Sequence, residues 1–132
     1  MTKLKDGVLY ALLYLFSLIP LRVMYMISDL LSALVYHLIG YRKKVVQDNL
    51  AIAFPEKSVL ERKIIAKRFY RNFTDTILES IKLISSGQDL IDRMFVADPE
   101  VFQVFEGTNK NIQIHAMHNF NWEIVNLSLI HI

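Results

Sequence analysis

The stretch Leu21-Arg-Val-Met-Tyr-Met-Ile-Ser-Asp-Leu-Leu-Ser-Ala-Leu-Val-Tyr-His-Leu-Ile39 decides how the chain is read. Its charged residues are Arg22 and Asp29. Arg22, Tyr25, Asp29, Ser32 and Tyr36 recur at steps of three and four, which puts them on one narrow face of a helix. The other faces are almost wholly apolar. Such a helix either lies in a membrane interface or packs its polar stripe on a protein surface. Just before it, residues 7–21 form an uncharged apolar run preceded by Lys3 and Lys5. A basic start and an apolar run resemble a secretory signal, but Pro20-Leu21-Arg22 follows in place of a small-residue cleavage site. The run therefore reads as an uncleaved anchor. Proline lacks a backbone donor and clashes with the preceding turn, so a break is expected near Pro20.

Working outward, positive charge stands at both ends of this region, as Lys3 and Lys5 before it and Arg42, Lys43 and Lys44 after it. The positive-inside rule then puts both ends on the cytoplasmic side. A shallow apolar helical hairpin over residues 1–40 satisfies that, and a single long span does not. The alternative is the buried core hairpin of a soluble protein. The composition agrees with a membrane segment joined to part of a globular domain: of 132 residues, 53% are hydrophobic and 21% charged. The net charge of +2 hides an asymmetry, because residues 42–82 carry ten Lys and Arg against five Asp and Glu, and residues 89–106 five acids against one Arg. A basic stretch after an apolar segment suits anionic headgroups or other phosphorylated partners. Its bland counterpart is a solvated helix face. No nucleic-acid-binding signature accompanies the charge. The absence of cysteine excludes disulfides and Cys-based metal sites.

The middle of the chain reads as helical. Residues 41–53 form a short helix ended by Phe54-Pro55, since a residue before proline avoids helical geometry. Ser58-Val59-Leu60-Glu61 fits the capping-box pattern. A long amphipathic helix follows to about Ser86, with Ile65, Phe69, Phe73, Ile77, Ile81 and Ile84 at near-helical spacing and Gly87 as its C-terminal cap. Beyond Gly87, Phe95-Val96 reads as a short strand, Asp98-Pro99 opens a helix to about Phe105, and residues 107–111 form a turn. Residues 111–117 alternate as a strand, and another helix begins at Asn121 or Trp122. The fold expected is thus α/β: mostly helical here, with an apolar hairpin, a long helix and then the start of an α/β domain.

The chemistry gathers near the end. His115 and His118 flank the end of the second strand, and Glu123 follows His118 by five residues. Within one helix, five residues leave two side chains about 140° apart. The pair meets only if His118 stands on the loop after the strand and Glu123 in the first turn of the next helix. The carboxylate then accepts a hydrogen bond from one ring nitrogen, and the other becomes a general base for a hydroxyl. Alone, a His-x4-Glu spacing is unspecific. A metal site from His115, His118 and Glu123 makes a poor donor set without the two-histidine helix of a zinc protease. His37 reads as structural, and Phe120 and Trp122 as core.

Two blocks carry a resemblance. Tyr41-Arg-Lys-Lys-Val-Val-Gln-Asp-Asn-Leu-Ala-Ile-Ala-Phe-Pro55 resembles a block of the bacterial lipid A biosynthesis acyltransferases, the late or secondary ones. His118-Asn-Phe-Asn-Trp-Glu123 resembles their catalytic His-x-Gly-Asn-Trp-Glu block, in the right order after the first. Pro20-Leu21-Arg22 and Ser58-x-x-Glu61 fall where that family has similar features. The resemblance implies enzymes on the cytoplasmic face of the bacterial inner membrane that move an acyl chain from acyl carrier protein to a hydroxyl of a lipid A precursor. It implies His118 as the general base, Glu123 as the group that orients and polarises it, and Asn121 and Trp122 as shaping the catalytic turn. No cofactor and no metal are implied. Basic residues after the anchor would meet acyl carrier protein or sugar phosphates. Phe120 stands where the family has glycine, and Met117 where a small residue is expected. Other readings are an acyltransferase for a lysophospholipid or an aminolipid, or a non-catalytic membrane-bound interaction module.

The resemblance also implies a longer protein. On that basis residues 1–40 are an anchor and residues 41–126 the front part of an acyltransferase domain, inactive by itself. Leu127-Ser-Leu-Ile-His-Ile132 matches a reading frame of a sequencing adapter and is expected to be a non-native tail over residues 127–132.

Overall fold

The computed structural model describes residues 2–94, 100, 103, 111, 113 and 121–125. The chain divides into two compact units, residues 1–85 and residues 86–132.

In the first unit, α1 (Thr2–Ser17) and α2 (Leu21–Leu34) are separated at Pro20, as its chemistry requires. Pro20 sits in an extended conformation at the entry to α2. The last turn of α2 widens into a π turn (Val35–Ile39) that stops at Gly40. Gly40 has φ +64°, a left-handed geometry that glycine adopts without penalty and that commonly ends helices. The Gly40 N–H donates to the Val35 carbonyl at 2.8 Å. Next come α3 (Lys43–Ala53), ended by Phe54-Pro55, and α4 (Val59–Lys82). α4 tightens into a 3-10 turn (Leu83–Ser85).

α4 begins with the anticipated capping box. The Ser58 N–H donates to Glu61 Oε2 at 2.8 Å and the Glu61 N–H to Ser58 Oγ at 3.3 Å, which satisfies two backbone donors left open at a helix start.

α2 lies antiparallel on α4, and the contacts run along the polar stripe of α2. Tyr25 Oη donates to Glu79 Oε1 at 2.6 Å, Ser28 Oγ to Thr74 Oγ1 at 2.9 Å, and the Arg71 guanidinium grips the Asp29 carboxylate through Nε at 2.7 Å and Nη2 at 3.2 Å. The Tyr36 and Tyr70 rings meet edge to face at 5.4 Å. Around this ladder Met24, Ser28, Ala66, Tyr70, Thr74 and Leu78 are buried. Ser28 belongs to the stripe although its residue type did not mark it, and Ser32 turns back to the Asp29 carbonyl instead. The side chains α4 buries are Ala66, Tyr70, Thr74 and Leu78, one position beyond the Ile65, Phe69, Phe73, Ile77 series. Phe69 and Ile77 stay largely exposed. The reason lies in the partner: α2 offers Ser28 and Tyr25 beside Met24 and Tyr36, and Thr74, Ala66, Tyr70 and Leu78 are the side chains that fit it.

The apolar face of α2 is therefore turned outward. Met26, Leu30 and Leu38 are 72%, 74% and 78% exposed. α1 is exposed on nearly all sides, including Leu9, Leu12 and Leu15. It is held at its C-terminal end, where Lys82 Nζ donates to the carbonyls of Ser17 at 2.8 Å and Ile19 at 3.1 Å and Ser85 Oγ to that of Ser17 at 2.8 Å. A cation on the last carbonyls complements both the unsatisfied acceptors and the helix dipole. The two apolar helices of the expected hairpin thus rest on the α4 end of the fold rather than along each other.

In the second unit, α5 (Gln88–Met94) opens at Gly87, whose carbonyl accepts from the Leu90 N–H at 3.1 Å. Gly87 starts this helix instead of closing α4 in a left-handed cap, a correction to its expected role. Residues 122–125 form a helical turn. All regular structure among the described residues is helical. The strand expected at Phe95-Val96 lies outside the described residues; of the helix expected from Asp98 to Phe105, Glu100 and Gln103 are described and both are helical, and of the expected turn and second strand only Asn111 and Gln113 are described. The α/β character expected of this region rests on the sequence.

Two measurements test this packing. Thr74→Val removes the acceptor of the buried Ser28 hydroxyl, so the single variant loses about 1–3 kcal/mol, and adding Ser28→Ala restores most of it. Urea unfolding of the full chain followed by circular dichroism reads both. In the capping box, the Ser58 hydroxyl and then the Ser58 backbone N–H hold the Glu61 carboxyl below the ordinary glutamate range. The stabilisation is whole above the ordinary value and is lost as pH falls through the lowered one. Ser58→Ala costs about 1 kcal/mol at neutral pH and flattens that acid limb of the stability profile.

Candidate functional site

The expected catalytic turn falls in the second unit. Asn121 stands immediately before the helical turn of residues 122–125, at the position where asparagine is favoured as a helix cap. Glu123 is thereby in the first turn, where a carboxylate complements the positive end of the helix. Ile124 is buried. Trp122 and Glu123 are half-buried. Glu123 Oε2 is itself buried and has no hydrogen-bond partner among the described residues. A buried carboxylate oxygen is costly to leave unpaired. Chemically it is an acceptor able to take one hydrogen bond. His118, His115, Met117 and Phe120 lie outside the described residues, so of the four expected site residues Asn121, Trp122 and Glu123 have a described position. Among the described residues no group of three or more histidines and carboxylates is placed to hold a metal ion.

The first unit adds two clefts that residue types alone did not disclose. One, of about 250 Å³, lies between α3 and α4. Tyr41, Arg42, Val45, Val46 and Asn49 line one side and Phe69, Tyr70 and Phe73 the other. The start of the Tyr41 to Pro55 block therefore forms a wall of it. Tyr41 stacks on Phe73 with centroids 6.4 Å apart, and Phe73 on Phe69 at 6.2 Å. The Tyr70 hydroxyl donates to the Tyr41 carbonyl. Burial, reinforced by the neighbouring Tyr36 and Tyr41, pushes the Tyr70 phenol up, so it remains a neutral donor at physiological pH. Arg42 enters α3 with φ +49°, a left-handed conformation that costs a non-glycine residue about 1–2 kcal/mol. That strain sits at the cleft wall and is upheld by the turn between Gly40 and α3.

The second cleft, about 290 Å³, opens between the end of α2 and the middle of α4. Ser32, Ala33, Tyr36, His37, Lys67, Arg68 and Arg71 line it. The basic excess of residues 42–82 was visible as a sum, but nothing in the sequence said which of its members converge. Lys67, Arg68 and Arg71 lie within about one turn of α4, and the antiparallel packing of α2 on α4 brings His37 to them.

Leu21–Ile39 is one helical segment long and apolar enough to cross a membrane, by length and composition. Comparison with known proteins completes the picture. No curated protein and no solved structure matches the chain. The family profile of the bacterial lipid A biosynthesis acyltransferases matches residues 5–131, a span that contains both sequence blocks and the helical turn bearing Glu123. With nearly the whole sequence covered, the chain belongs to the bacterial lipid A biosynthesis acyltransferase family.

Proposed function

We propose that the protein transfers a fatty acyl chain from the thioester of acyl carrier protein to a hydroxyl of a lipid A precursor, with His118 and Glu123 as the catalytic pair. Glu123 accepts a hydrogen bond from one ring nitrogen of His118 and holds the tautomer. The other nitrogen takes the proton of the acceptor hydroxyl as its oxygen attacks the thioester carbonyl. The tetrahedral adduct collapses with cleavage of the carbon–sulfur bond. The imidazolium returns the proton to the departing thiolate, giving an ester and free carrier thiol. Asn121 and Trp122 shape the turn.

The observation that carries this reading is the family match running through His118 to Glu123. The buried, open acceptor at Glu123 Oε2 supports it. Phe120 in place of glycine bears on which acceptor fits the turn, not on the proton transfer.

The reading places residues 1–40 at the cytoplasmic face of the bacterial inner membrane and residues 41–126 in the acyltransferase domain. Support comes from the outward apolar side chains of α1 and α2, among them Leu9, Leu12, Met26, Leu30 and Leu38. It also comes from the basic residues Arg42, Lys43 and Lys44 that follow.

The test substitutes His118→Ala and Glu123→Gln in the chromosomal gene, so that the whole gene product is assayed, and reads lipid A by mass spectrometry. His118→Ala is expected to cut acylation by about a hundredfold to ten-thousandfold, Glu123→Gln by less. Unchanged acylation in both variants would support a non-catalytic module instead. Loss of an acyl chain from a phospholipid or an aminolipid, with lipid A intact, would assign a different acceptor.

A further inference from the structure

We propose that the cleft between α2 and α4 is a binding site for the phosphate of an anionic phospholipid headgroup, which docks the first unit on the bilayer surface. This inference rests on the membrane reading above and adds a specific recognition site to it.

Three observations converge. First, Lys67, Arg68 and Arg71 from α4 and His37 from the π turn of α2 surround a cleft large enough for a phosphate and its ester carbons. Second, the charge is not cancelled. The Asp29 carboxylate offsets Arg71 by a 2.7 Å ion pair, which leaves Lys67 and Arg68 as a net surplus at the mouth. Asp29 also holds Arg71 in place. Third, the cleft borders a strongly apolar surface. At 100° per residue, Ala33 and His37 share a flank of the helix with Met26 and Leu30, and Met26 and Leu30 are among its most exposed side chains.

A soluble anionic ligand would make no use of that flank. A lipid uses both, with its phosphate among the cations and its acyl chains along Met26 and Leu30. Charge complementarity thus selects the headgroup and the adjoining apolar flank selects a bilayer as its source. An acidic protein partner satisfies the first condition and not the second.

Flotation of the purified full chain with vesicles tests this. The vesicles are phosphatidylcholine alone, or phosphatidylcholine with a third of phosphatidylglycerol. The wild-type chain is expected to bind both and to bind the anionic vesicles more tightly. The double variant Lys67→Gln/Arg68→Gln, which keeps the long side chains and leaves the Asp29–Arg71 pair intact, is expected to lose about thirtyfold on anionic vesicles and little on neutral ones. A charge-matched control, Lys57→Gln/Lys63→Gln, removes two cations that do not line the cleft and is expected to retain most of the anionic preference. Equal losses in the two double variants would reduce the effect to net charge and overturn the site. The site is also overturned if Lys67→Gln/Arg68→Gln binds anionic vesicles like wild type while losing affinity for an acidic carrier protein. If wild type binds neither vesicle, the membrane reading itself fails, a result distinct from loss of the anionic preference alone.

Discussion

The buried polar contact between α2 and α4 governs the first unit. A helix as apolar as Leu21–Ile39 carries a single polar stripe, and most of that stripe is spent on contacts with α4. Ser28 and Thr74 share a hydrogen bond with no solvent at hand, Tyr25 reaches Glu79, and Asp29 meets Arg71. Ser28 and Ala66 are both fully buried, and their small size lets the helices approach closely. Once the polar stripe is committed to α4, most apolar residues of α2, Met24 excepted, face outward. This inverts the usual arrangement of a soluble helix, and it is why the exposed surface of the unit is so rich in leucine.

The remaining contacts follow from that pairing. α4 extends past the start of α2 and supplies Lys82, with Ser85 just beyond it, to the end of α1, so one helix organises both apolar segments. At the other end Tyr70 spans to the Tyr41 carbonyl while Lys43 Nζ sits 4.2 Å above the Tyr36 ring, and these tie the start of α3 to the same core. The block Tyr41 to Pro55 is thereby held against α4 as one wall of an aromatic cleft. In the second unit a short helical turn carries Glu123 with an open, buried acceptor.

Local chemistry was legible in advance. Pro20 and Pro55 break helices through their own rings, and Ser58 and Glu61 cap α4 through atoms three residues apart, so no distant partner is needed. The Tyr25, Asp29 and Tyr36 face of α2 was legible for the same reason. Ser28 was not, because a serine on a helix is as often solvated or bonded to its own backbone as buried. The buried face of α4 was not legible, because Ile65, Phe69 and Phe73 are the more hydrophobic series and only the surface of α2 makes Ala66, Tyr70 and Thr74 the better fit. Gly87 looked like a helix cap by type, yet the left-handed glycine is Gly40.

By itself, then, the sequence determined where helices of the first unit begin and stop and which face of α2 is polar, since these depend on neighbours a few positions apart. The family followed from two short blocks that the profile match then joined. Only tertiary structure decided that the polar stripe faces inward and the leucines outward. It alone showed which side chains α4 buries, and that His37, Lys67, Arg68 and Arg71 converge across some thirty residues of sequence. Those outcomes depend on the register and direction in which two helices meet, and no local periodicity encodes either.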